Sequence, residues 1–168
     1  MVIISDMSKV PVLVFVATIL VALIGCEERR CGRVPGRFIG SYRDLPGVGY
    51  YKFYKYKVSW GEAWAQCRDD NAHLLIIDSP EELEAVKALM IESKSDGWSH
   101  IGVHDLFING LYLTVKNGEF FPSEFNKWSL KEPTNNVAEA CVSIFPNGLL
   151  RDNTCATSLS FICEYNKH

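Results

Sequence analysis

The chain has 168 residues, and 48% of them are hydrophobic, which suits one ordinary domain with a core and disfavours a disordered chain. Its 17 lysines and arginines stand against 20 aspartates and glutamates, so the formal net charge is -3. A slightly acidic chain has no electrostatic footprint for nucleic acid, and we expect no nucleic-acid partner.

Residues 1–25 have the pattern of an export signal. Lys9 precedes an apolar run from Val10 to Gly25, which ends abruptly at Cys26 and the charged residues after it. The run is shorter than the roughly 20 residues that a membrane-spanning helix needs. It therefore predicts a secretory signal peptide over residues 1–25 and an extracellular protein. A signal anchor that tethers the domain is the alternative.

Six cysteines follow this signal and indicate disulfides formed in an oxidising compartment: Cys26, Cys31, Cys67, Cys141, Cys155 and Cys163. Their spacing contains neither a Cys-x-x-Cys pair nor a zinc-type cluster. Cleavage after Gly25 would leave Cys26 and Cys31 to pair with each other. Cleavage after Cys26 would leave Cys31 odd, and the alternative to an internal pair is a disulfide-linked dimer through Cys26 or Cys31.

Residues 26–49 are rich in glycine, proline and arginine and show no periodicity that would bury a face. We predict a linker there. Its five arginines could meet anionic phosphates, but a solvated spacer is the simpler interpretation.

The folded part is predicted to begin with a strand and two helices. The aromatic and lysine residues of YYKFYKYKV from Tyr50 suit a strand with one wetter face. Ser59 and Ser79 are each followed three residues later by a glutamate, the capping-box pattern, and Pro80 suits the first helical position. These signals predict helices over 60–71 and 80–93.

After Trp98 the helical period disappears. Short apolar runs alternate with the turn pairs Asn109-Gly110, Asn117-Gly118 and Asn147-Gly148, which predicts several short strands. The order of one strand, two helices and then many strands favours an α+β fold.

Several motifs occur in a fixed order between Tyr50 and Tyr165. They are Trp60-x-x-Ala63-x-x-x-Cys67, Ala72-His73-Leu74, Ile101-Gly102, Trp128 before Glu132-Pro133, Glu139 before Cys141, Asp152 before Cys155, and Phe161-Ile162-Cys163-Glu164. With this set, residues 50–168 resemble a C-type lectin-like domain. The segments IGVHDLFINGLYLTV and NGLLRDNTC look most like insect haemolymph lectins described as lipopolysaccharide-binding.

The resemblance implies a fold of two helices with short antiparallel sheets and a long loop region. It also implies two internal disulfides, Cys67–Cys163 and Cys141–Cys155. Each closed loop would stabilise the domain by roughly 3 to 5 kcal/mol.

The resemblance further implies a sugar site in which Glu132, Thr134, Glu139 and Asp152 contact the carbohydrate. Glu132, Glu139 and Asp152 would also ligate calcium, an ion that takes six to eight oxygens and that sugar hydroxyls can complete. Pro133 matches the family's cis-proline.

Two positions depart from the family pattern. Thr134 stands where an amide is usual, and Arg151 stands where an asparagine is usual. A guanidinium cannot ligate a cation, so we expect Arg151 to repel calcium or to pair with the neighbouring acids. A second, structural calcium position is represented only by Asp105 and Asn109, since Ala140 offers no ligand.

These observations predict a secreted lectin that recognises microbial glycans, including lipopolysaccharide, in innate defence, with a partly degraded calcium site. The alternative is a calcium-independent protein-interaction module of the decoy or venom type. Without the resemblance, acids beside an arginine indicate only a solvated ion-pair cluster. An enzyme is not expected, because no strained serine turn or phosphate loop is present, and His104 and Asp105 are strand neighbours with opposite directions.

Overall fold

The computed structural model describes residues 41–116, 118–120 and 127–165. The predicted signal peptide, Cys26, Cys31 and residues 26–40 of the predicted linker lie outside the described residues. No helix among those described is long and apolar enough to cross a membrane.

The described residues form two helices and eight strands. In chain order these are β1 (Arg43–Leu45), β2 (Gly49–Val58), α1 (Trp60–Asp69), β3 (His73–Leu74), α2 (Pro80–Glu92), β4 (Ser99–His104), β5 (Leu113–Thr114), β6 (Cys141–Ile144), β7 (Leu150–Asn153) and β8 (Leu159–Tyr165). Both helices begin where the sequence predicted them, and each ends within two residues of its predicted end.

The two helix starts differ in their capping. Ser59 and Glu62 form the full reciprocal box at α1. At α2 the Ser79 hydroxyl accepts from the Glu82 amide, but the Glu82 carboxylate turns away. It accepts instead from the Tyr51 hydroxyl at 2.6 Å and from the Asp78 amide at 2.8 Å. The second capping box is therefore only half formed, because a buried tyrosine competes for the carboxylate.

The strands form one mixed sheet in the order β1-β2-β8-β4-β6-β7, with β3 paired to β8 and β5 paired to β4. Most neighbours are antiparallel, and β4 pairs with β8 in parallel. The α+β fold with two helices is confirmed. The hairpin of β6 and β7 places Cys141 opposite Asn153 and Val142 opposite Asp152, next to the long loop region.

The predicted linker is too long at its C-terminal end. Strand β1 pairs with β2 through Arg43 opposite Tyr51 and Leu45 opposite Gly49. Tyr42 and Leu45 are buried in the core. The sequence prediction of 26–49 missed this strand because three residues are too few to show a periodicity.

Two buried clusters support the sheet, and both predicted disulfides lie within or beside the second one. Cys67–Cys163 joins α1 to β8, and Cys141–Cys155 joins β6 to the residue two positions after β7. The Trp60 indole N–H donates to the Ile101 carbonyl at 2.8 Å, which fixes α1 against β4. The scaffold around the loop region is therefore tied covalently and by hydrogen bonds.

Candidate functional site

The turn that carries Glu132 is attached to β7. The Leu150 amide donates to the Lys127 carbonyl at 2.8 Å, and the Ser129 amide donates to the Leu150 carbonyl at 2.7 Å. The Glu132 amide then closes a tight turn onto the Ser129 carbonyl, and the Glu132–Pro133 peptide bond is cis. This attachment places Glu132 beside Asp152, which follows two residues after Leu150.

Thr134 joins the acidic side chains of the site. Its hydroxyl lies 2.6 Å from Glu139 Oε2 and 3.2 Å from Asp152 Oδ2. Its amide donates to Asp152 Oδ1 at 3.0 Å, and the Asn135 amide donates to Asp152 Oδ2 at 3.1 Å. The structure thus brings together all four residues that the sequence singled out: Glu132, Thr134, Glu139 and Asp152.

The carboxyl groups of Glu132 and Asp152 are hydrogen-bonded to each other and shift each other's pKa. Burial, the hydrogen bond with Asp152 and the nearby negative charges of Asp152 and Glu139 raise the pKa of Glu132 to about 7. Burial also opposes ionisation of Asp152, but the hydrogen bonds from Glu132, Thr134 and Asn135 outweigh it and lower the pKa of Asp152. Glu132 is therefore the carboxyl of the pair that holds a proton near neutral pH.

The carboxylate oxygens of the site are of the type that calcium binds, but the arrangement of these side chains fits calcium only in part. Glu132 Oε2 is buried and has no hydrogen-bond partner. An unsatisfied carboxylate oxygen among like charges is a suitable ligand for a hard cation. Asp152, in contrast, already accepts several hydrogen bonds. Over the described ranges, no group of three or more acidic, histidine or cysteine side chains is gathered tightly enough to hold a metal ion.

Arg151 does not lie among the acids. Its guanidinium carbon is 4.5 Å from the centre of the Trp98 ring. None of Glu132, Glu139 and Asp152 lies within ion-pair distance of it among the described contacts. Its positive charge lowers the pKa of Glu132 only as the smallest of the influences on that carboxyl. The expected pairing of Arg151 with the acids is therefore wrong, because β7 directs Arg151 and Asp152 to opposite faces.

Asp105 and Asn109, the residues of the partial second calcium position, make hydrogen bonds to the backbone of the loop region. Asp105 Oδ2 accepts from the Gly110 amide at 2.7 Å, and the Asn109 side chain donates to the Asn135 carbonyl at 2.9 Å. Asp105 thus closes the β4–β5 loop on itself, and Asn109 connects that loop to the turn that carries Thr134.

Tyr112 is a site residue that sequence reasoning missed. Its hydroxyl lies 3.3 Å from Asp152 Oδ2, and its ring packs 5.0 Å from that of Trp128. Burial and the nearby carboxylates raise its pKa, so the phenol remains a donor to Asp152. It lies inside a short apolar run of the sequence, and no motif spacing connected it with Asp152.

The fold, both disulfides and the four converging side chains agree with one family. The family model described as "Lectin C-type domain" matches residues 56–165, which is more than half of the chain. The chain belongs to the C-type lectin domain family. The described relatives of this lectin domain are lectins, receptors and binding proteins by name, which favours a non-enzymatic protein.

Three curated relatives show the range of the family. A "Hemolymph lipopolysaccharide-binding protein" of Periplaneta americana is 34% identical over 70% of this chain and 49% of its own length. "Asialoglycoprotein receptor 2" of Rattus norvegicus is 32% identical over 70% of this chain and 39% of its own length. "C-type lectin 37Db" of Drosophila melanogaster is 32% identical over 66% and 73%. The chain thus spans half or less of the first two relatives.

Solved structures confirm the fold. The carbohydrate-recognition domain of the mouse scavenger receptor C-type lectin matches with a TM-score of 0.67 and 22% identity, over 77% of this chain and 96% of that one. A protein described as a calcium-independent type II antifreeze protein matches with a TM-score of 0.63 and 20% identity, over 74% and 91%. The fold alone therefore does not decide whether this lectin domain uses calcium.

Proposed function

We propose that the protein is a secreted carbohydrate-binding lectin that recognises microbial surface glycans, lipopolysaccharide included, in innate immunity. The observation that carries this proposal is the convergence of Glu139 and Asp152 on the Thr134 hydroxyl, with Glu132 hydrogen-bonded to Asp152. Clustered carboxylate and hydroxyl oxygens can accept hydrogen bonds from adjacent sugar hydroxyls. The name of the cockroach relative supports a lipopolysaccharide ligand.

Calcium is part of this proposal. It would be held by Glu132, Glu139 and Asp152, and it would supply the positive charge to which sugar hydroxyls coordinate. The unpartnered Glu132 Oε2 is the oxygen best suited to receive it. The Arg151 guanidinium lies over Trp98 rather than in an ion pair with these acids, which weakens the sequence-based argument against the ion.

Secretion and oligomerisation complete the proposal. The apolar run before Cys26 would direct the chain to the extracellular space, and Cys26 or Cys31 would link two chains through a disulfide. The chain recovered from culture medium is expected to lack the apolar run. A dimer that dissociates on reduction is expected on a non-reducing gel, whereas a band at the monomer mass under both conditions would contradict the linkage.

The test of glycan recognition is retention on immobilised mannan and on lipopolysaccharide, with calcium and with chelator. The wild type is expected to bind with calcium and to be released by chelator. Glu139→Gln should weaken retention at least tenfold, because it removes a charge beside Thr134. The matched control is Glu119→Gln, which removes the same charge from an exposed residue outside the cluster. Retention that ignores the chelator would contradict the calcium-dependent mechanism.

A second function is favoured by one specific observation. Asp152 is already satisfied by the Thr134 and Asn135 amides and by the Tyr112 hydroxyl, so the cluster is held together without a metal. A calcium-independent protein-interaction module of the decoy or venom type would use the same loop surface. Calcium titration followed by melting temperature separates the two functions, because only a calcium-binding wild type gains thermal stability.

A further inference from the structure

The loop between β4 and β5 exposes three consecutive apolar side chains. Leu106, Phe107 and Ile108 are 50%, 76% and 61% exposed. No charged residue occurs from Leu106 to Val115. Single exposed apolar residues are ordinary, but an uncharged exposed run of this kind marks an interaction surface.

The loop is closed by its own hydrogen bonds. Asp105, only 4% exposed, accepts from the Gly110 amide at 2.7 Å, and the Leu111 amide donates to the Ile108 carbonyl at 2.9 Å. Gly110 has a φ of 82°, a conformation that favours glycine. The apolar side chains are therefore presented by a defined turn, which lowers the entropy cost of using them for binding.

A hydrogen bond connects this loop to the candidate sugar site. The Asn109 side chain donates to the Asn135 carbonyl at 2.9 Å, and the Asn135 amide in turn donates to Asp152. Two further exposed apolar residues flank the same turn along the chain: Leu130 is 90% exposed and Val137 is 81% exposed. We call Leu106, Phe107, Ile108, Leu130 and Val137 the apolar rim.

Two aromatic residues of this part of the chain, Tyr112 and Phe107, differ in their burial. Tyr112 is 7% exposed and packs against Trp128. Phe107 makes a T-shaped contact with the His104 ring, at 5.6 Å between ring centres, and three quarters of its surface faces solvent. Core packing therefore does not account for Phe107.

We infer that the apolar rim contacts the acyl chains of an amphiphilic glycolipid whose sugar headgroup occupies the site formed by Glu132, Thr134, Glu139 and Asp152. This inference rests on the proposed glycan-binding function and specifies the ligand class of that same site. A hydroxyl-rich group suits the carboxylates, and hydrocarbon suits the exposed apolar loop, which is connected to Asp152 through Asn109 and Asn135. Exposed Lys131, between Leu130 and Glu132, offers a positive charge to a phosphate-bearing headgroup.

A comparison of intact with deacylated lipopolysaccharide tests the inference. The full-length protein is presented with immobilised lipopolysaccharide and with the same polysaccharide after alkaline removal of its acyl chains. Wild type is expected to bind the intact molecule at least about tenfold more tightly, since burying one large apolar side chain is worth that factor. The double variant Phe107→Ser and Ile108→Ser should lose this preference while it keeps wild-type affinity for the deacylated polysaccharide.

The matched control is Ile91→Ser, which changes a 65% exposed isoleucine in α2 and should leave both affinities unchanged. Leu130→Ser provides a second rim variant should the double variant misfold. Equal wild-type binding to both ligands would overturn the inference and leave the proposed function standing. Binding to neither would overturn both. Loss of lipid preference in Ile91→Ser would indicate unspecific capture and would overturn the inference. Self-association that depends on the apolar rim, without a preference for lipid, would identify a second copy of the chain as the occupant and would also overturn the inference.

Discussion

Arg151 and Asp152 are adjacent in β7 but lie in different environments. The Arg151 guanidinium carbon stacks 4.5 Å from the centre of the Trp98 ring. The Asp152 carboxylate accepts from the amides of Thr134 and Asn135. The positive charge is therefore held outside the acidic cluster, and the acids are not neutralised by a neighbouring guanidinium.

Arg151→Asn is predicted to lower the free energy of unfolding by about 1 kcal/mol, because it removes the partly buried stack on Trp98. It should shift the midpoint of a calcium titration by less than about twofold. Urea unfolding and calcium-dependent melting would measure the two effects. Arg68→Asn removes a similar stack on half-exposed Trp64 and is the control, with a smaller expected loss. Calcium-dependent stabilisation that appears only in Arg151→Asn would instead place Arg151 in the metal site.

The misplacement of Arg151 shows where sequence reasoning failed. The helices were predictable because Ser59, Ser79 and Pro80 carry local signals at their starts. Strand β7 has no such signal, since LRDN contains three charged or polar residues in succession. Without a predicted strand there was no basis for assigning Arg151 and Asp152 to opposite faces. The four site residues came from motif positions, whereas Tyr112 reaches Asp152 only through tertiary packing.

The buried position of Glu82 was equally hidden in the sequence. The pattern Ser79-x-x-Glu82 is local, and it predicted a carboxylate turned back on the helix end. The competing Tyr51 hydroxyl comes from β2, far away in the chain. A capping signal therefore located the helix start correctly but assigned the wrong partner to the Glu82 side chain.

Glu132→Gln is predicted to change how the stability of the domain depends on pH. At pH 8 the variant should be more stable than wild type without calcium and less stable than wild type with calcium. The pKa of Glu132 is raised to about 7, so the folded state holds the proton more tightly than the unfolded chain does. The stabilisation is complete below the ordinary pKa of 4.5 and is lost as the pH rises through 7. Without calcium, Glu132→Gln should therefore melt higher than wild type at pH 8 and similarly at pH 4.

Calcium should reverse that order at pH 8, because only wild type offers a carboxylate ligand at position 132. The calcium affinity of wild type should also fall as the pH is lowered from 8 to 6, since protons compete for Glu132. Melting curves at each pH with and without calcium measure both effects. Glu119→Gln is again the control, and a calcium response that is identical in Glu132→Gln and wild type would contradict this role of Glu132.

Glu82→Gln is predicted to stabilise the domain at alkaline pH. Glu82 is 2% exposed, and burial raises its pKa to about 7 against the hydrogen bonds from Tyr51 and Asp78. Its contribution to stability is complete below pH 4.5 and is lost as the pH rises through 7. Relative to wild type, the variant should gain about 1 to 3 kcal/mol of unfolding free energy between pH 4 and pH 8. Exposed Glu81 on the same helix provides the control Glu81→Gln, and equal pH profiles for the two variants would refute the prediction.

Removal of each disulfide is predicted to affect stability and glycan binding to different extents. Cys67–Cys163 spans 96 residues and Cys141–Cys155 spans 14, so loop-closure entropy predicts losses of about 4 to 5 and about 3 kcal/mol. The shorter bridge lies beside β6 and β7, where the Asn153 side chain donates to the Cys141 carbonyl next to Asp152.

The variant Cys141→Ala with Cys155→Ala should therefore lose more glycan affinity although it loses less stability than Cys67→Ala with Cys163→Ala. Urea unfolding measures the first quantity, and retention on immobilised lipopolysaccharide at a temperature where both variants are folded measures the second. The longer bridge joins α1 to β8 and reaches Asp152 only through the sheet, so its removal acts mainly on the unfolded chain. If affinity falls in proportion to stability in both variants, the shorter bridge has no separate part in positioning Asp152.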